Sequence, residues 1–182
     1  MGGLLDATNV IDTTVLSIFA SISMDHIGVL GNTLEEIAEN KAGIIKPSCQ
    51  AVVTAPQKPS VIRILQEKTE ECGCQIRIAH PEKAKVKREL MDGQIFSYEE
   101  YEDIHLNLIG RYQIDNAVTV LEAVKALNEN GAVIPEDAVR AGFAKVIWQG
   151  RFQVLEREPL MIADGAHNQD AALRLAENVR TY

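Results

Sequence analysis

Apolar residues occur along this chain in two arrangements, short unbroken runs and spacings of three and four, and their alternation predicts an α/β fold. Val15 to Ser23 (VLSIFASIS) is rich in β-branched residues and free of charge, the pattern of a parallel strand covered on both faces. Thr33 with Glu36 three positions later forms a capping box, after which Leu34, Ile37, Ala38 and Ala42 recur at helical spacing up to Gly43. Ala51 to Ala55 reads as a second buried strand. Pro59 opens a helix carrying Val61, Ile62 and Leu65, Gly73 closes it, and Gln75 to Ala79 forms a third strand.

After His80 the pattern changes. Charges alternate with apolar residues in Lys83 to Arg88 and again in Glu99 to Asp103, as expected of antiparallel strands with one solvated face. Ile114, Ala117, Val118, Leu121, Val124 and Leu127 mark a helix that ends at Gly131, and Pro135 with Glu136 and Asp137 starts another. Trp148 to Phe152 (WQGRF) interrupts the pattern before a strand, Leu160 to Ala163, that runs into a helix from about Asn168. A domain boundary is expected near Trp148, dividing residues 1–147 from residues 148–182. The second part falls below the roughly 40 residues that sustain a core alone. Gly2-Gly3 likewise reads as a connection leaving a strand that the chain does not contain, so the chain is expected to be a fragment.

Composition narrows the function. With 182 residues, 18 basic and 26 acidic side chains, a net charge of −8 and 46% apolar content, the chain reads as an ordinary soluble globular protein. The negative balance excludes a protein built chiefly to hold phosphate backbones, so nucleic acid is not an expected partner. No apolar run approaches the roughly 20 residues that span a bilayer, and the N-terminus has no export signal, which makes the cytoplasm the expected location. Three cysteines, Cys49, Cys72 and Cys74, are too few and too oddly spaced for a disulfide framework or a zinc site.

Three polar clusters sit where α/β folds place ligands, at strand ends and helix starts. Asp25-His26 follows the first strand, where the imidazole could meet a divalent metal or a phosphate, or simply cap a turn. Lys41 and Lys46 read singly as solvated lysines. Gln113 and Asn116, three apart at the start of a helix, present two amides on one face, suited either to a base edge or to capping. Arg151, and then Asp164-Gly165-Ala166-His167-Asn168 at a strand-to-helix turn, form the third cluster. Asp164 could bind a ribose hydroxyl and His167 a phosphate, although an aspartate in such a turn is also a common cap. None of the common phosphate-loop, dinucleotide, zinc-protease or hydrolase signatures is present.

In order and wording these clusters resemble the folylpolyglutamate synthase and dihydrofolate synthase family of the Mur ligase superfamily. The matching stretches are GGLLDATN (2–9), SMDH (23–26), VLGNTLEEIAENKAGIIKP (29–47), GRYQIDNA (110–117), WQGRFQ (148–153) and DGAHN (164–168). The resemblance implies part of a central ATPase domain, a mostly parallel sheet flanked by helices with a small antiparallel sheet, followed by the start of a Rossmann-like C-terminal domain. It implies a reaction in which ATP phosphorylates a folate or pteroate carboxylate and the amine of L-glutamate attacks the acyl phosphate. Magnesium and cationic side chains would offset the charge of the two anions that meet.

By the same resemblance His26 is a magnesium ligand, and Lys41 is carbamylated to become a second one. Asn116 meets adenine, Arg151 the γ-phosphate, Asp164 the ribose, His167 the phosphate region and Asp6 the pterin ring. Arg111 and Tyr112 carry no assigned role. The family's phosphate-binding loop and acidic magnesium ligand have no counterpart in this chain, so the chain by itself is expected to be catalytically inactive. A Mur-type peptidoglycan ligase and a non-catalytic, self-associating fragment are the alternatives.

Overall fold

The structure, a computed structural model, describes Gly3, residues 6–24 and residues 28–182. Two compact units divide the chain, one of residues 1–80 and 119–133, the other of residues 81–118 and 134–182.

The first unit is built on a parallel sheet of β1 (Leu16–Phe19), β2 (Ala51–Thr54) and β3 (Gln75–Ile78), in that order. Helix α1 (Leu34–Ala42) connects β1 to β2, and α2 (Pro59–Cys72) connects β2 to β3, the crossovers that parallel neighbours require. Side chains alternate across the sheet. Val52 and Phe19 therefore join the core formed with Ile37 and Ala38 of α1 and Val61 and Leu65 of α2. Ala51 and Val53 face Ala123 and Ala126 on the opposite side. Ile37, Val52, Val61 and Leu65 are fully buried, each contributing about 1.5–3 kcal/mol.

The expected boundaries of α1 and α2 follow from local chemistry. Thr33 caps α1 by accepting from the Glu36 backbone N–H at 3.2 Å. The return arm of the capping box differs from expectation: the Glu36 carboxylate accepts from the Asn32 N–H, one residue before the cap. Pro59 opens α2, and Gly73 ends it in the left-handed conformation at φ 69°. The first strand is shorter than its apolar run. β1 is an edge strand among those described, and Val15 and Ile18 remain 48% exposed, so it is not covered on both faces. The three cysteines share one environment, with Cys72 and Cys74 packed against the core that buries Cys49. Burial pushes the Cys74 thiol up to about 11, which leaves it a poor nucleophile at neutral pH.

The second unit contains an antiparallel sheet of β4 (Lys85–Leu90), β5 (Gly93–Tyr98) and β6 (Tyr101–Leu106), with β5 central. The charge alternation locates β4 and part of β6 but misses β5, and it extends β6 over Glu99 and Glu100, which form the turn before it. α4 (Glu136–Lys145) packs on this sheet, with Phe143 edge-on to Phe96 at 6.4 Å. Pro135 stands at its N-cap. A hairpin of β7 (Gln153–Arg157) and β8 (Leu160–Ala163) leads into α5 (Gln169–Thr181).

α3 (Arg111–Glu129) contributes its first residues to the second unit and the rest to the first. It begins immediately after Gly110, whose φ of 102° favours glycine and whose missing side chain leaves room for Asn178: a Cβ there would lie 2.3 Å from Asn178 Nδ2. The Gln94 amide, buried on β5, donates to the Gly110 carbonyl at 2.9 Å and to that of Leu108 at 2.8 Å, fixing the start of the helix.

Candidate nucleotide site

The turn between β8 and α5 is assembled around one carboxylate. Asp164 Oδ2 accepts from the Phe152 N–H at 2.7 Å and Oδ1 from the Ala166 N–H at 2.8 Å. The Gly165 N–H donates to the Gly150 carbonyl at 2.8 Å. The segment before β7 and the strand-to-helix turn are thereby joined, bringing Arg151 beside Gly165. An added Cβ on Gly165 would fall 2.6 Å from the Arg151 guanidinium, so the glycine leaves room for that side chain. Asn168 caps α5 by accepting from the Ala171 N–H at 2.9 Å.

These residues line a cleft of about 200 Å³ formed by Tyr112, Arg151, Asp164, His167, Ala171 and Arg174 with their neighbours. Ligand pockets commonly measure about 300–1,000 Å³, so this one suits one end of a nucleotide, a sugar or a phosphate group. Two guanidinium groups and the N-terminus of α5 give it an affinity for anions. Arg174 also faces Asp115 at 3.8 Å. Burial raises the Asp115 carboxyl above its usual range, and Arg174 and Arg111 oppose that shift. The Tyr112 hydroxyl is likewise raised, chiefly by burial and further by the charge of Asp164, against Arg151 and Arg174. It therefore stays a neutral O–H, able to donate.

The structure brings three of the expected site residues, Arg151, Asp164 and His167, into this one cleft. His167 Nδ1 lies 2.9 Å from the Gly165 carbonyl. That contact places the ring proton on Nδ1, so only the imidazolium could donate to a phosphate from its other nitrogen. Asp164 is at once the expected ligand and the stitch that holds the turn, and its remaining lone pairs leave it able to accept from a hydroxyl. Asn116 stands one turn beyond Tyr112 on α3, exposed, and its amide donates to Gln113 Oε1 at 3.1 Å. The two amides thus bond each other.

Tyr112, which carries no role by the resemblance, and Arg174 line the cleft as well. The signal for Arg174 is its place three residues beyond Ala171 on the α5 face that starts at Asn168.

In the first unit, Lys41 occupies the last turn of α1, half-buried. Asp6 begins a 3-10 turn (Ala7–Val10), where the Asn9 N–H donates to the Asp6 carbonyl at 2.9 Å. Asp25 and His26 lie outside the described residues. Lys46, expected to be solvated, is instead 17% exposed and engaged by the chain around Asn9 and Asp12. No helix among the described residues is long and apolar enough to cross a membrane.

Comparison with known proteins adds the family. The Mur ligase middle domain matches residues 8–124. The chain is 37% identical over 186 residues to the dihydrofolate synthase/folylpolyglutamate synthase of Bacillus subtilis (strain 168), covering 99% of this chain and 43% of that protein. A solved structure described as an FPGS-AMPPCP-folate complex superposes with a TM-score of 0.87 at 28% identity, over 100% of this chain and 45% of the other. The Mycobacterium tuberculosis folylpolyglutamate synthase complexed with ADP and AMPPCP superposes with a TM-score of 0.84 at 33% identity, over 99% and 42%. The chain thus spans about two fifths of the length of the relatives it matches.

Proposed function

Because this chain belongs to the Mur ligase middle domain family, we propose that it forms the nucleotide-handling part of an ATP-dependent ligase joining L-glutamate to a folate or dihydropteroate carboxylate. The observation that carries this reading is the convergence of Arg151, Asp164 and His167 on one cationic cleft. The folate branch is supported by relatives described as dihydrofolate and folylpolyglutamate synthases and by the KAGIIKP stretch. Residues 1–147 are read as the central ATP-binding domain, and residues 148–182 as the linker with the first strand and helix of a C-terminal glutamate ligase domain.

The chemical difficulty is electrostatic, since a carboxylate has to approach a triphosphate. ATP supplies the phosphoryl group that activates the carboxylate as an acyl phosphate. Arg151 meets the γ-phosphate, where a planar guanidinium can donate two hydrogen bonds at once. Asp164 accepts from the ribose while its other lone pairs hold the turn, and His167 meets the phosphate region. Asn116 is assigned to the adenine edge, which requires its amide to exchange Gln113 for the base. Asp6 hydrogen-bonds the pterin.

Magnesium, when bound, neutralises phosphate charge. Among the described residues no group of three or more His, Cys, Asp or Glu could hold a metal ion. His26 and Lys41 are the residues we assign to it, Lys41 only once carbamylation has replaced its ammonium by an anionic group.

The test is release of ADP by the protein that carries this chain, with ATP, magnesium and glutamate. Release that depends on dihydropteroate or tetrahydrofolate is expected. Turnover with a UDP-muramyl substrate instead would move the protein to the peptidoglycan ligases. The exposed Val15 and Ile18 on the β1 edge favour a second reading, self-association of this chain on its own. A monomer at tens of micromolar in sedimentation would reject it.

A further inference from the structure

We infer that Lys46 is a positioning residue for the pteridine substrate, fixing the path of the segment that carries Asp6. The identity of the substrate and the role of Asp6 rest on the ligase reading above. The Lys46 ammonium donates to the Asn9 carbonyl and, at 2.6 Å, to that of Ile11, and it pairs with the Asp12 carboxylate at 3.7 Å. Two of its N–H groups thus have carbonyl acceptors, and the Asp12 carboxylate adds an ion pair. The two carbonyls lie at and just after the C-terminal end of the Ala7–Val10 turn, where carbonyl oxygens attract a cation.

Ser48, two residues on, extends the grip. Its hydroxyl donates to the Asp12 carbonyl at 2.6 Å and accepts from the Thr14 N–H at 3.2 Å. At the other end of the segment Gly3, at φ 77°, lies so close to α1 that a Cβ would fall 1.8 Å from the Asn40 carbonyl, the residue before Lys41. The stretch from Val10 to Asp12 is not held by hydrophobic burial, because Val10 is 79% and Ile11 54% exposed. Its course is set by polar contacts from the loop after α1, with Lys46 at their centre. The Asp6 N–H donates to the Gly3 carbonyl at 3.1 Å, which ties Asp6 to the glycine that lies against Asn40.

Hydrogen exchange and steady-state kinetics on the protein that carries this chain test the inference. In Lys46→Met, which keeps the stem and removes the charge, amides of residues 6–12 should exchange about tenfold faster while those of α2 are unchanged, as for one lost charge-assisted contact. KM for the pteridine substrate should rise about tenfold with KM for ATP within about twofold. Lys46→Arg should recover most of the loss. If Lys46→Met does not fold, Ser48→Ala should show the same split at about threefold. Unchanged exchange over residues 6–12, or equal rises in both KM values, would overturn the inference. A protein that turns over no pteridine substrate would overturn the ligase reading instead, and the exchange rates would still decide whether Lys46 holds the segment.

Discussion

Replacing Arg151 with alanine is expected to weaken ATP binding by about 100-fold, the equivalent of about 2.7 kcal/mol and of a lost bidentate guanidinium–phosphate contact. The side chain is exposed, and among the described residues its hydrogen bond is a 3.4 Å contact to the Gly150 carbonyl. Its removal should therefore leave the melting temperature within about 2 °C. Affinity and stability separate because the guanidinium is held over Gly165 by space and not by burial. Gly165→Ala provides a second probe, since its methyl group would displace the guanidinium while leaving the charge in place. Titration calorimetry with AMPPCP should show a smaller loss for Gly165→Ala, about tenfold. Equal nucleotide affinity in Arg151→Ala and the unmodified protein would remove Arg151 from the site.

Asp164→Ala is expected to fail in the opposite way, through structure first. Both carboxylate oxygens accept backbone N–H groups, at 2.7 and 2.8 Å, from segments twelve and two residues away. Hydrogen bonds to a charged group contribute about 1.5–3 kcal/mol each when buried. Asp164 is half-buried, so solvent screening reduces the sum to about 2–3 kcal/mol. Thermal melts should fall by roughly 5–10 °C. Asp164→Asn, which keeps one acceptor oxygen, should lose about half as much stability. It should still bind nucleotide less well, because the amide NH2 that replaces one oxygen cannot accept from a ribose hydroxyl. A melting temperature for Asp164→Ala within about 1 °C of the unmodified protein would contradict the stitched turn.

Much of the scaffold was legible because its signals are local. Pro59, Gly73, Thr33 and Asn168 mark helix ends through backbone geometry or a hydrogen bond within a few residues. β5 escaped because its buried residues include Gln94 and Ser97, polar side chains whose partners lie outside the strand: the Gln94 amide donates to the Leu108 and Gly110 carbonyls, and Ser97 bonds the Glu102 carboxylate and the Asp103 N–H across the hairpin. The coverage of β1 was misjudged for a related reason, since an apolar run cannot state whether its strand lies inside a sheet or at its edge.

The same division holds for the site. Arg151, Asp164 and His167 stand in short stretches whose wording can be matched, and they converge. The Lys46 contacts join residues 34 or more positions apart, and no spacing rule addresses them. Tyr112 enters the cleft from a helix that is remote in sequence from the other lining residues.

The most direct measurement is a crystal structure, with AMPPCP bound, of the protein that carries this chain. The terminal phosphate is expected about 3 Å from the Arg151 guanidinium, with a ribose hydroxyl at a similar distance from Asp164. A nucleotide bound elsewhere, with Arg151 and Asp164 both facing solvent, would contradict the assignment of this cleft.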